Sequence, residues 1–392
     1  MTDGEPALRS RLAHTLLADI DRLTGTVVAD IRAHSPAYAC GHPVPLADLR
    51  AVCRDNLVLA LEDFGGLPAS AGDIEAAATE TGRRRAEQGM PLDSVLQAYR
   101  RGGRVLWQAM AVPLRGPVAA DQDLVVEVAG ALWETIDRFS AVMSQAYRLT
   151  QLELQHRQDS RRGALFEALL DGRGSDPAVA AAAAAALGLP PRDRFAVVVA
   201  DQNPAAPPHP GPALRAAGVW SFWRPRAARY AGLVRLGSAE PYEVARVLRG
   251  ELGGTAGISP PFEELAAAHA ALRLAERALR TLPPGSGAVA ELDDRLVEAV
   301  LAGDPELAGR LVTRYLDGVL SCGAEAPVLL RTLRVWLDAG CSALRAAEQL
   351  YCHRNTVLNR IIRVVELTGW PSESGEARLG WALALRATEV PR

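Results

Sequence analysis

LLRTLRVWLDAGCSALRAAEQLYCHRNTVLNRIIRVVELTGW, residues 329–370, is the most specific stretch of the chain. Ser342 is placed to cap a short helix, Ala346 and Ala347 offer small side chains where two helices can cross closely, and Leu350 ends the apolar face. Tyr351, Cys352 and His353 then lead into a second helix from about Arg354. Its buried side would carry Val357, Ile361, Val364 and Val365 at helical spacing. The pattern predicts a helix-turn-helix over 342–367.

The other side of that second helix carries the chemistry. Arg354, Asn355, Thr356, Asn359, Arg360 and Arg363 cluster there, and no acidic residue stands between His353 and Val365. Such a face selects an anion, and double-stranded DNA is the expected partner. Arginine can grip guanine and asparagine adenine through two hydrogen bonds in the major groove, which suits Arg354 and Asn355 at the helix start. Thr356, Arg360 and Arg363 are better suited to phosphate oxygens, which position a helix without reading sequence. His353, Arg354, Asn355, Thr356, Asn359, Arg360 and Arg363 are therefore the expected DNA-binding residues.

Outward from this motif, 392 residues are enough for two or three domains. Hydrophobic residues make up 49% and charged residues 23%, which excludes wholesale disorder. The 43 basic residues are all arginine against 46 acidic ones, a net charge of -3 that leaves room for a local basic patch. Five scattered cysteines do not resemble a disulfide framework, and no apolar run reaches the ~18 residues of a membrane span. The N-terminus lacks a signal-peptide pattern, so a cytoplasmic location is expected.

The first 150 residues read as helices. Val95, Leu96, Tyr99, Val105, Leu106, Ala109 and Met110 form one face, after a stop at Gly89 and a start near Pro91. A long helix is expected from Leu132 to Leu170, of the kind that pairs with a second copy or packs into its own bundle. Asp176-Pro177 opens the alanine-rich helix AVAAAAAAALGL, closed by Gly188 and Pro190-Pro191. The period then changes. FAVVV (195–199), VWSFW (219–223), YAGLVRL (230–236) and TAGIS (255–259) read as strands, separated by the proline-rich NPAAPPHPGP (203–212) and the turn RPRAAR. A helix is expected from Glu263 to Leu282, and helices again from Asp293, with starts at Asp304-Pro305 and near Pro327.

AGCSALRAAEQLYCHRNTVLNRIIRVVELTG (339–369), with HRNTV at its core, resembles the C-terminal helix-turn-helix of the PucR/CdaR family of bacterial transcriptional regulators. Leu358 and Asn359 stand where that family commonly has an arginine and an aromatic, and Cys352 where it has an aliphatic residue, so a different base preference is expected. TAGISPPFEELAAAHAALRLAERALR (255–280) is similar to the end of the degenerate GGDEF-like domain of such regulators. GRRRAEQGMPLDSVLQAYRRGGRVLWQAM (82–110) resembles the helical domain of stressosome co-antagonists that the family uses as its sensory part.

The resemblance implies a multidomain fold: an all-α N-terminal bundle (1–150), a linker helix (151–175), an α/β GGDEF-like domain (176–300) and an all-α DNA-binding domain (301–392). It implies a transcriptional regulator without enzymatic activity or cofactor. Nucleotide cyclisation would need a Gly-Gly-Asp/Glu-Glu-Phe hairpin, and VWSFWRPRAARYAGL carries no carboxylate for a metal. No Walker loop, GxSxG or HExxH occurs. A homodimer or higher oligomer is expected, since one helix-turn-helix reads few base pairs, along with a possible small-molecule effector whose identity the sequence does not name.

The alternative is a signalling protein acting mainly through protein contacts of its N-terminal domain. His34, Cys40, His42 and Cys53 are irregularly spaced and read as loop and core residues rather than a metal or redox site. Cys341 and Cys352 read as small hydrophobes. Arg83, Arg84 and Arg85 are candidates for an anionic effector, but consecutive positions on a helix point in different directions, so at least one must be a plain surface charge; Trp107, Trp133, Trp220 and Trp223 could line a ligand pocket but read mainly as core.

Overall fold

The computed structural model describes residues 4–68, 74–114, 122–190, 192–201, 209–251 and 254–391. Two compact units divide the chain, residues 1–160 and 161–392.

The first unit is helical throughout its described residues. Its helices are α1 (Gly4–Leu17), α2 (Ile20–His34), α3 (Pro36–Ala39), α4 (Leu46–Gly65), α5 (Ile74–Glu87), α6 (Leu92–Leu114) and the first part of α7 (Gln122–Leu170). Gly89, with φ of +70°, ends the turn before α6, as the sequence anticipates. Val95, Leu106 and Met110 of α6 enter one core with Leu23, Val27 and Ile31 of α2, Leu57 and Leu61 of α4, and Leu132, Phe139 and Met143 of α7. Two glycines set how closely helices approach. A Cβ at Gly82 of α5 would collide with the Met143 carbonyl of α7, and one at Gly103 of α6 with Ile136.

Helix α7 is 49 residues long and begins at Gln122, ten residues before the apolar stripe that marks it in the sequence. Between residues 151 and 162 none of its side chains is buried. Trp133, expected in a core, is half-exposed on α7, whereas Trp223 is buried in the second unit. The indole of Trp133 falls on the solvent side of the helix that buries Leu132 and Thr135.

In the second unit, α8 (Pro177–Leu187) starts with the Asp176 side chain accepting from the Ala178 amide at 2.9 Å and ends at a left-handed Gly188. Pro191 and residues 202–208 of the proline-rich segment lie outside the described residues. Six strands form one sheet: β1 (Arg192–Asp201), β2 (Trp220–Arg226), β3 (Arg229–Arg235), β4 (Ala256–Ile258), β5 (Phe262–Glu264) and β6 (Val289–Glu291), in the order β2-β3-β1-β4-β6, with β5 also on β1. β2 and β3 make an antiparallel hairpin with Arg226 opposite Arg229, so Ala227 and Ala228 alone turn the chain and Ala227 takes a φ of +52°. β4 and β6 are parallel and need a crossover, which α11 (Ala268–Arg280) supplies.

Strand β1 explains the layering. Phe195, Val197 and Val199 pack with α8, α11 and the end of α7, while Ala196, Val198 and Ala200 pack with α9 (Gly211–Ala216) and α10 (Pro241–Glu251). Alternation of side chains along a strand buries both faces under helices. Two expectations are corrected here. The helix expected from Glu263 begins only at Ala268, because Phe262–Glu264 pairs with β1 and Leu265–Ala267 is a 3-10 turn. The sequence reading also passes over α9 and β6, of six and three residues, and α10, of eleven.

The remaining helices are α12 (Leu296–Gly303), α13 (Pro305–Leu320), α14 (Ala326–Asp338), α15 (Ala343–Leu350), α16 (Arg354–Thr368) and α17 (Gly375–Ala387). Asp304 caps α13 at the Leu307 amide, 3.0 Å away, and Pro327 sits in the first turn of α14. Their shared core holds Leu316, Leu333, Trp336, Val357, Val364 and Trp381. The architecture is a helical domain, an α/β domain and a helical C-terminal domain, as the sequence predicts. No helix among the described residues is long and apolar enough to cross a membrane.

Candidate nucleic-acid interface

Helices α14, α15 and α16 build the site. α14 ends in a turn where Gly340 and Cys341 both have positive φ, +65° and +62°, and the Cys341 amide reaches back to the Trp336 carbonyl at 2.8 Å. Ser342 then caps α15, its hydroxyl accepting from the Arg345 amide at 3.4 Å. Ala346 and Ala347 are buried in the crossing with α16, where Val357 is fully buried, and Ile361 and Val364 continue that contact. Cys341 and Cys352 are partly buried against the same core. Tyr351 ends α15 in the left-handed region, with φ of +51°, and is 96% exposed.

His353 is the N-cap of α16. Its Nδ1 accepts the Asn355 amide at 3.2 Å, which places the ring proton on Nε2 and leaves that edge free to donate. The first turn of α16 contains no acidic residue. Its unsatisfied amides and the helix dipole both favour an anion at this end.

The expected DNA-binding residues do not share one environment. Arg354, Asn355 and Asn359 are exposed, and among the described residues their side chains make no hydrogen bond or ion pair. Thr356 is half-buried. Arg360 turns toward α14 and donates from Nη1 to the Thr332 hydroxyl at 3.3 Å, Thr332 itself being buried. Arg363 is exposed but ion-paired with Glu366 at 3.1 Å, with Glu325 at 3.9 Å. The expected DNA-binding residues omit Leu358, singled out in the sequence only as a departure from the family pattern, and Ile362, which the sequence reading missed; both stand exposed on the same side as Arg354 and Asn355. Leu358 lies four and three residues from Arg354 and Asn355, and Ile362 four beyond Leu358, which was the available signal.

Behind the site, α16 is gripped at its C-terminal end. Gly318 of α13 lies so close that a Cβ would collide with the Leu367 carbonyl. Trp370, just past α16, packs on Tyr315 with ring centroids 4.9 Å apart and donates from Nε1 to the Arg314 carbonyl at 3.3 Å. In α17, Gly380 admits the Tyr315 ring where any side chain would clash.

Elsewhere, the β2-β3 hairpin tip is an arginine site. Arg226 pairs with Glu167 at 2.5 Å and Asp171 at 2.7 Å, and Arg229 with Asp201 at 3.1 Å. His34 is bonded to the Asp30 carbonyl, Cys40 is exposed and Cys53 lines a cavity inside the bundle. Among the described residues no three histidine, cysteine or acidic side chains gather as a metal site.

Three family models match the chain in succession. The RsbT co-antagonist protein rsbRD N-terminal domain matches residues 21–162, the GGDEF-like domain 171–281, and the PucR C-terminal helix-turn-helix domain 329–387. The purine catabolism regulatory protein of Bacillus subtilis (strain 168) is 40% identical over 62 residues, which is 16% of this chain and 12% of that protein. The crystal structure of a regulator of polyketide synthase expression from Bifidobacterium adolescentis is 22% identical and covers 57% of this chain and 90% of that one. The TM-score of that match is 0.30.

Proposed function

We propose that this chain, with the domain make-up of a PucR/CdaR-family regulator, is a sequence-specific DNA-binding transcriptional regulator that works in the cytoplasm as a homo-oligomer under effector control. The observation that carries the reading is the first turn of α16, where Arg354 and Asn355 stand exposed and unpaired on a helix-turn-helix. Arg354 reads a guanine, Asn355 an adenine, and Leu358 meets a thymine methyl. His353, Thr356, Asn359 and Tyr351 donate to phosphate or neighbouring base edges. Arg360 and Arg363 reach phosphates only by exchanging the partners they hold, which makes them secondary.

The working division is a sensory domain (1–150), a linker helix (151–175), a GGDEF-like relay (176–300) and a DNA-binding domain (301–392). The relay has no catalytic role in this reading, because its hairpin offers arginines instead of metal-binding carboxylates. Self-association is favoured by α7, whose Leu149 and Leu152 are 54% and 62% exposed, three residues apart on one side.

Crosslinking in the native cells followed by sequencing of the recovered DNA tests the reading. Discrete peaks sharing one repeated element, lost with Arg354→Ala, are expected. An absence of peaks under several growth conditions would overturn it in favour of a protein-contact role for the N-terminal domain.

A further inference from the structure

The helical domain contains a cavity of about 90 Å³ between α2, α4, α5, α6 and α7. One water needs about 10–15 Å³ of such space and two to four polar partners, so the room exceeds a single water several-fold. The walls are mainly apolar, with Val27, Leu57, Leu106 and Phe139 among them. Several of the polar groups on the wall already satisfy one another: Asn56 donates to the Tyr99 hydroxyl at 3.2 Å and lies 3.5 Å from that of Thr81. A cluster of waters would lack a full set of partners here. A compact organic molecule would not.

The wall holds one cation and no carboxylate. Arg85 is 2% exposed. Its Nη1 donates to Asp48 at 2.5 Å and to Gln88 at 2.6 Å, while its Nη2 is buried with no hydrogen-bond partner. Asp48 is also ion-paired with Arg84, so two guanidinium groups share one carboxylate. An unpaired buried N–H on a charged group is costly, and a planar guanidinium is shaped to take a carboxylate. Beside it, burial pushes the Tyr38 hydroxyl up to about 12 against the charge of Arg85 and a weak hydrogen bond from its guanidinium to the Tyr38 oxygen, which leaves the hydroxyl proton to donate.

We propose that this cavity binds a small monocarboxylate with a compact apolar body, its head on the Arg85 Nη2 and its body against the Tyr99 and Phe139 rings. The inference deepens the effector-controlled reading above by giving it a site and a ligand class. Thr135, Ile136 and Phe139 of α7 line the cavity, and α7 is the same helix that continues to Leu170. A ligand there touches the element that enters the second unit.

The test is calorimetry on the full chain without DNA, using benzoate as the charged probe and toluene as its neutral counterpart. Its result is therefore independent of whether the protein binds an operator. Exchanging the buried pair together, Asp48→Leu with Arg85→Met, removes the anchor and leaves no unpaired buried charge, since Arg84, which loses Asp48, is 47% exposed, a change that folded proteins commonly tolerate. Benzoate is expected to bind one site per chain and to weaken about ten-fold or more in the double variant, as loss of a hydrogen bond to a charged group requires. Toluene should bind both proteins alike. Should the double variant lose its helical signal, Gly102→Leu fills the cavity from a position whose Cβ would meet only Val27, at 3.8 Å, and should abolish binding of both probes. No benzoate binding to the wild type, or equal benzoate binding with and without Arg85, would overturn the proposal.

Discussion

Arg85 and Arg354 are the same side chain put to opposite uses. Arg85 is sealed inside the helical domain, with one nitrogen on Asp48 and another facing a cavity. Arg354 stands in solvent at the head of α16 with no partner among the described residues. The two guanidinium groups differ in hydration and in the partners that replace it. The buried one must be matched by the protein, which makes it a fixture of the fold. The exposed one costs the fold nothing and remains available to a ligand as highly charged as DNA.

Stability measurements should break this comparison first if it is wrong. Asp48→Leu alone leaves Arg85 buried and uncompensated, and is expected to cost about 3–5 kcal/mol in urea unfolding followed by helical circular dichroism. Arg354→Ala should leave the same curve unchanged. On the DNA recovered by crosslinking, the ranking reverses. Arg354→Ala is expected to cost about 1–3 kcal/mol of binding by fluorescence anisotropy and to relax the base preference at one position. Arg363→Ala should cost less, because Glu366 already occupies that side chain.

Smaller effects sharpen the contrast. Ser342→Ala removes the α15 cap and should lower the stability of the C-terminal domain by about 1 kcal/mol. Acid should act on the buried site. Burial pulls the Asp48 carboxyl upward, but hydrogen bonds from Arg85 and Gln88 and the charges of Arg85 and Arg84 outweigh it, so Asp48 is held below its ordinary value of 3.8. A lowered folded pKa gives stability that is fully present above the unfolded value and lost as pH falls through the folded one. Unfolding between pH 5 and 3 should therefore be steeper with pH in the wild type than in the Asp48→Leu/Arg85→Met protein.

The exposed site was largely legible in the sequence. Caps, small crossing residues and a buried stripe at 357, 361 and 364 are local signals, and each took its expected place. What the sequence could not rank was which polar residues stay free. The Arg363 partner, Glu366, stands three residues on in the same helix and was open to reading, whereas Arg360 is tied to Thr332, 28 positions away, so its fate depends on how α14 packs. The buried site was almost illegible for the same reason. Arg83, Arg84 and Arg85 read alike in a row, and only the tertiary packing, which buries Arg85 against Asp48, 37 residues earlier, and leaves Arg83 and Arg84 half-exposed, singles out Arg85. Among the strands, the ten-residue β1 is unmistakable, whereas the three-residue β5 and β6 exist only because long-range partners complete them.

The grip on the far end of α16 has a mechanical consequence. Gly318 and Tyr315 clamp the helix near Leu367 and Trp370, while Arg354 projects from its other end, about 20 Å away at 1.5 Å per residue. A beam fixed at its root and loaded at its tip is a cantilever, and a small tilt at the root is multiplied along its length. The aim of Arg354 is thus set partly by a glycine at the opposite end of the helix. In the proposed reading, Gly318→Ala would mis-point the tip of α16 without changing any residue assigned to DNA.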